Sequence, residues 1–493
     1  MRCILPAALR CGIVQRIRGG TLLKCLLAAA VLAAATPLAL PAAASAHGLQ
    51  GKTDLPLPTW LFSWAAAIVL VVSFAALAAL WPKPELQEEH RRRVGRLPEW
   101  LDIPAGAIGI ALFAVIVYAG FAGVQDEPTA NLATVFVYVH FWVGMVIASV
   151  LLGNVFRSFN PWLAVARASG WAYARLRGGR TWTPPLAYPE WLGCWPAVVG
   201  LIGFGWLELA YQDKTHPNIV AGLAVAYAVV QLAGMTAFGA ERWSRRGDAF
   251  GVYFELLSRL SLWEREDGVL YARRPLSGAP QMPLMPGAVA LLCAAIGTTS
   301  FDGFSNGSLW ADSSPDLVNF FSNLGAGPQT ATQWASTVGL VVAILVVSGF
   351  YRLGVRGMQT VGEGHTAGEL AGRFAHTLIP IAFAYAVAHY FSLLVFQGQA
   401  AAYLVSDPLG DGSNLFGTAK ATIDLNAISS NTTWYVQVAA LVVGHVCGLI
   451  LAHDRAIALY RKPRDAVRSQ YWMLVVMVGF TSLGLWLLSA VRT

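Results

Sequence analysis

Residues 375–397 read AHTLIPIAFAYAVAHYFSLLVFQ, a stretch without a single Asp, Glu, Lys or Arg that nevertheless carries two histidines, His376 and His389. At about 1.5 Å of helical rise per residue such a run reaches across the roughly 30 Å of a bilayer's hydrocarbon. Nine other apolar runs of similar length lie at 59–81, 103–123, 132–153, 191–211, 218–239, 286–302, 334–351, 434–453 and 470–490. The pattern predicts an all-α, polytopic membrane protein of ten spans and a single helical domain over residues 47–493. Composition agrees: of 493 residues 56% are hydrophobic and 12% charged, about half the charged fraction of a soluble domain.

The formal net charge is +7, but the basic residues are divided among short loops and form no single patch. A nucleic-acid module is therefore excluded as a reading. The loops at 82–102, 154–190, 240–285, 352–374 and 454–469 hold 5, 5, 7, 3 and 5 Lys or Arg, which is 25 of the 34. By the positive-inside rule these loops face the cytoplasm of a bacterial inner membrane, and both mature termini face outward. Residues 1–46 have the order of a secretory leader: five basic residues from Arg2 to Lys24, an apolar run from Cys25 to Leu40, and Ala44-Ser45-Ala46 as a cleavage site. Cleavage there would leave His47 as a terminal residue able to chelate copper through its amine and ring.

The six cysteines show no metal-site or disulfide spacing. The outer loops at 303–333 and 398–433 are rich in Gly, Ser, Asn and Asp and can either cover a site or simply connect spans. The inner segment 248–266 places Phe250, Tyr253, Phe254, Leu257, Leu260 and Trp263 at helical spacing, which predicts an interfacial amphipathic helix.

Five histidines, His140, His376, His389, His445 and His453, fall inside spans, where an ionisable group is costly unless it is paired or bound. From the helical rise, His140 and His389 lie about 12 Å and His445 about 16 Å below the outer ends of their spans. Asp302 and Glu208 approach the same layer, with Tyr138, Tyr385 and Tyr390 as neighbours. Three imidazoles suit a zinc-like divalent ion that lowers the pKa of bound water. The expected ligands are His140, His389, His445 and Asp302, and the expected catalytic groups Asp302, Glu208 and Tyr385. Against this stand interhelical hydrogen-bonding roles for each histidine, copper-like transport, and a haem between His389 and His445. Two stacked haems fit poorly, since His376 and His389 are about 19.5 Å apart along their helix and His445 and His453 about 12 Å.

Ala46-His47-Gly48-Leu49, then Asp54-Leu55-Pro56 and Pro58-Thr59-Trp60-Leu61-Phe62, together with Phe159-Asn160-Pro161-Trp162 and Ser300-Phe301-Asp302-Gly303-Phe304, resemble the bacterial membrane-integrated fenitrothion hydrolases. The resemblance implies hydrolysis of organophosphorus triesters, with a nitrophenol released from a dialkyl thiophosphate. A neutral, lipophilic substrate of that kind partitions into the bilayer and needs no phosphate-binding loop, and none is present. No GxSxG elbow for a nucleophilic serine is present either.

Overall fold

A computed structural model describes residues 59–361 and 364–490. The leader, its cleavage site and His47 lie outside them. The apolar runs become helices α1 (Thr59–Leu80), α2 (Asp102–Ala122), α3 (Leu132–Leu152), α5 (Trp195–Leu209), α6 (Pro217–Phe238), α8 (Ala288–Ser305), α10 (Pro328–Gln359), α11 (Leu378–Gln397), α12 (Ser430–Leu459) and α13 (Pro463–Ala490). Between them stand α4 (Pro161–Leu176), α7 (Ala249–Ser258) and α9 (Ser308–Asn323). Among the described residues, eight helical segments are long and apolar enough to cross a membrane. The protein is therefore mostly helical and membrane-type, as the hydropathy pattern requires.

Burial sorts these helices. In α8 and α12, 72% and 67% of the most apolar stretch is buried, against 28% in α2, α6 and α10. The interior is thus α8, α11 and α12, while the others turn apolar surface outward as lipid-facing helices do. Close approach of α11 and α12 depends on Gly444, where a Cβ would lie 2.3 Å from the Ala384 Cβ and 2.8 Å from the Pro380 carbonyl. Small residues let helix backbones meet where no hydrophobic driving force separates protein from lipid. The three described cysteines, Cys194, Cys293 and Cys447, are buried and free.

The loops expected on the inner side are knitted by charge. Asp102 pairs with Arg265 at 2.6 Å and accepts from Ser158 at 2.8 Å, and Glu264 pairs with Arg91 at 3.3 Å and Arg273 at 3.4 Å. Glu241 pairs with both Arg157 and Arg167. Burial raises its carboxyl pKa, but the two guanidiniums prevail and hold it below the ordinary value.

The 248–266 expectation needs correction. The helix stops at Ser258, and Trp263 opens β2 (Trp263–Glu266), which pairs antiparallel with β3 (Val269–Arg273); β1 (Arg91–Arg96) adds to the other side of β3. Asp267-Gly268, with φ of 48° and 72°, is a two-residue hairpin turn that helical spacing does not reveal. Nor is α7 interfacial: Phe250, Val252, Tyr253, Phe254, Leu256 and Leu257 are all buried in the main core.

Two buried carboxylates pin this inner half. Asp248 is wholly buried and accepts from Asn160 Nδ2 at 2.8 Å, Trp162 Nε1 at 2.6 Å, Tyr227 Oη at 2.8 Å and the Gly251 N–H at 3.1 Å. The Asn160-Pro161-Trp162 motif is thereby assigned a structural task, since it joins α4, α6 and α7 at one acceptor. Asp454 accepts from Trp81 Nε1 at 3.0 Å, the N–H groups of Glu85 and Leu86 at 2.5 and 3.1 Å, and Gln87 Nε2 at 2.6 Å. Asp248→Ala strands four donors, so we expect a loss of about 3 kcal/mol or more, with Trp162→Phe costing about 1 to 2. Thermal unfolding of the purified protein in detergent checks both, and an unchanged midpoint for Asp248→Ala would contradict this role.

Candidate functional site

Helices α5 and α8 pack side by side with matching periodicity. On α5, Gly205 meets Thr298 of α8 so tightly that a Cβ would lie 2.6 Å from the Thr298 Cγ2. Glu208 follows Gly205 by three residues and Asp302 follows Thr298 by four, so each stays on the contacting face of its helix. Two carboxylates are thereby brought within electrostatic reach of each other near the C-terminal ends of α5 and α8. Lys214, on the loop between α5 and α6, lies within reach of both.

Helix α11 closes the second side. The His389 ring points its Cε1 corner edge-on at Gly303, where a Cβ would come within 2.2 Å of that atom. The next residue, Tyr390, is buried and turns its hydroxyl toward Glu208, Asp302 and Trp142.

The third side is α3, whose eight residues Phe136–Val143 form a π-helix. Such a stretch is rare and is frequent at functional sites. It carries Tyr138 and Trp142 toward Glu208 and Tyr390, and the Tyr138 hydroxyl donates to the Lys214 carbonyl at 2.8 Å. From below, Tyr253 of α7 stacks on Trp142 at 5.6 Å between ring centroids and approaches Glu208. Phe204 packs against Trp142 at 4.9 Å, so the polar groups sit on an aromatic floor.

Hydrogen bonding sets this cluster apart from the inner carboxylates. Glu208 Oε2, Tyr390 Oη, Trp142 Nε1, Thr298 Oγ1, Ser300 Oγ and His140 Nδ1 are buried atoms without a well-aligned hydrogen bond to protein, although the Tyr390 hydroxyl lies close to both Glu208 and Trp142. Glu208, Asp302, Tyr138, His140 and His389 are half-buried as whole residues. A concentration of unmatched donors and acceptors in one place is what a site for a polar ligand group or water presents.

The sequence-expected residues separate into three groups. Glu208 and Asp302 lie within electrostatic reach of each other. His389 and His445 flank Tyr385, at 6.3 and 6.1 Å between ring centroids, but the Tyr385 hydroxyl donates to the Phe480 carbonyl at 3.3 Å. It is Tyr390 that faces the carboxylates. His140 turns its Nε2 to the Gly398 carbonyl at 3.1 Å and stacks on Phe136, while His445 directs Nδ1 to the Leu441 carbonyl at 2.8 Å. Among the described residues no three His, Cys, Asp or Glu side chains gather closely enough to hold one ion, so the set His140, His389, His445 and Asp302 is not assembled there. His453 bridges the Trp81 carbonyl and Gln470, which is the interhelical role.

Sequence reasoning missed Lys214, Trp142 and Tyr253. Lys214 had a signal, being one of the few basic residues outside the inner loops and the leader. Trp142 had one too, four residues after Tyr138 on the same span. Comparison with family models, with curated proteins and with solved structures returns no match. For Gly303→Ala we expect a loss of about 1 to 3 kcal/mol from overpacking against the imidazole. The double variant with His389→Ala should recover a good part of it, as a double-mutant cycle in thermal unfolding measures. Strict additivity would show that the ring does not rest on Gly303.

Proposed function

We propose that this protein is a membrane-bound hydrolase of lipophilic organophosphorus triesters whose water-activating groups are Glu208 and Asp302, assisted by Tyr390. The observation that carries the reading is the pair of carboxylates within electrostatic reach of each other, with Tyr390 close by and neither Glu208 Oε2 nor Tyr390 Oη in a well-aligned hydrogen bond. The resemblance to fenitrothion hydrolases supports the substrate class. We further propose ten spans, with α1 and α13 completing the eight, in a bacterial inner membrane with both mature termini outside. The 25 basic residues of the inner loops support that orientation.

In the proposed reaction the substrate is neutral, so the site needs no cationic cradle. A water held at Glu208 Oε2 attacks phosphorus and gives its proton to that carboxylate. The phosphorus–oxygen bond to the aryl group breaks in line, and the electron pair leaves on the nitrophenolate. Asp302 or the Tyr390 hydroxyl then delivers a proton to the departing oxygen, since paired carboxylates divide acid and base roles. Lys214 balances part of the negative charge, and the ring surfaces of Trp142, Tyr138 and Phe204 provide an apolar bed for an aryl group.

The activated-water step is written on carboxylates because the three imidazoles do not share a centre among the described residues. The donors for a zinc-like ion would instead be Glu208 and Asp302. Purified protein in vesicles should release nitrophenol from fenitrothion, and Glu208→Gln and Asp302→Asn should each abolish release while insertion and melting temperature are kept. Tyr390→Phe should slow it by about 10² or more. Full activity in Glu208→Gln would sink the carboxylate site. Absence of triester hydrolysis in the wild type would sink the hydrolase reading. Activity lost to a chelator and restored by zinc would put an ion into the mechanism.

A further inference from the structure

Helix α9, Ser308–Asn323, is separated from the end of α8 by two residues and from the start of α10 by four. Both of its ends are therefore fastened to the outer ends of spans, and at about 1.5 Å per residue it extends for roughly 24 Å. None of its residues is buried. A helix in that place must lie along the protein's outer surface at the level where hydrocarbon gives way to headgroups.

The distribution of its side chains says which way each face looks. At about 100° per residue, Leu309, Phe320 and the following Leu324 fall within an arc of roughly 60° that also holds the small Ser313, with Asp316 at its polar border. The three apolar side chains are 51%, 57% and 70% exposed. The adjacent arc, Trp310, Leu317 and Phe321, is half-buried against the protein, with Trp310 edge-on to Phe301 at 5.3 Å and to Phe304 at 5.8 Å, and Phe321 near Trp334 at 6.3 Å. Most of the rest is polar or small: Ala311, Asp312, Asp316, Asn319, Ser322 and Asn323, all exposed. One side thus rests on protein, one is apolar with nothing of the protein over it, and one is polar. Trp334, 50% exposed at the start of α10, extends the apolar side as an interfacial aromatic.

We infer that α9 is an interfacial helix whose Leu309–Phe320–Leu324 edge inserts into the outer lipid leaflet. No Lys or Arg lies on it, so the attraction is hydrophobic and does not require anionic lipid. Its location has a consequence that rests on the proposed function. Trp310 is seated on Phe301, the residue before Asp302 in α8, so the lipid-immersed helix lies one residue step, about 100° round α8, from the Asp302 side chain. Lipid-dissolved substrate reaches the carboxylates from this side.

The test uses full-length protein in phosphatidylcholine vesicles, with an environment-sensitive maleimide fluorophore on Leu309→Cys, Phe320→Cys, Ala311→Cys or Ser322→Cys, and labelled wild type as the blank. Lipid spin-labelled near the headgroup should quench the fluorophore at 309 and 320 at least about twofold more than at 311 and 322. Equal quenching at all four, or none at 309 and 320, overturns the inference. A Leu309→Asp/Phe320→Asp double variant should then hydrolyse triester dissolved in vesicles at least about fivefold more slowly than wild type, with the detergent-solubilised rate unchanged. If wild type hydrolyses nothing, the proposed reaction fails while the quenching still decides where α9 lies. If quenching succeeds but the double variant is as fast as wild type in vesicles, the route past α9 is overturned.

Discussion

A carboxylate inside an apolar bundle loses hydration worth many kcal/mol and is tolerated only when neighbouring donors or cations compensate. Asp248 and Asp454 meet that demand: both are fully buried and each collects four hydrogen bonds, Asp248 from α4, α6 and its own helix and Asp454 from the single segment 81–87. The first set ties α4, α6 and α7 together, and the second ties the chain that follows α1 to α12. Around Glu208 and Asp302 the same demand is met only in part: the two lie within electrostatic reach of each other with Lys214 alongside, and Glu208 Oε2 has no well-aligned hydrogen bond although Tyr390 is near. Saturation marks Asp248 and Asp454 as structural.

This contrast also explains what could be read from residue order. Spans were legible because hydrocarbon thickness and helical rise fix their length, and each apolar run became a helix displaced by only a few residues. Glu208 and Asp302 were legible as acidic groups near the histidine layer because each lies close to the end of its apolar run, but that they lie within reach of each other was not. Depth does not give azimuth. Tyr385 and Tyr390 are equally deep within about a turn and a half, yet one faces Phe480 and the other the carboxylates. His140, His389 and His445 likewise share a layer while pointing at different partners.

The inner hairpin was hidden for a different reason. Phe250 through Leu257 do have helical spacing, and continuing it to Trp263 ignores the turn preference of Asp267-Gly268 and the charge alternation of Trp263–Glu266. Arg273, almost wholly buried, donates to the Ser258 and Ser261 carbonyls at 2.8 and 3.2 Å and so fixes the end of α7 against the sheet. A long-range partner of this kind leaves no periodic trace.

The π-helical stretch of α3 carries an implication for descent. Such a stretch contains one residue more than an ordinary helix would need between the same two ends. Removing a residue between Tyr138 and Trp142 would restore regular winding between the same two ends and turn side chains within the stretch by about 100°. Tyr138 would then lose its alignment with Trp142. Gain of a single codon in an unremarkable lipid-crossing helix would therefore suffice to turn aromatic side chains inward, and ancestral chains lacking that codon should retain the fold without the cluster.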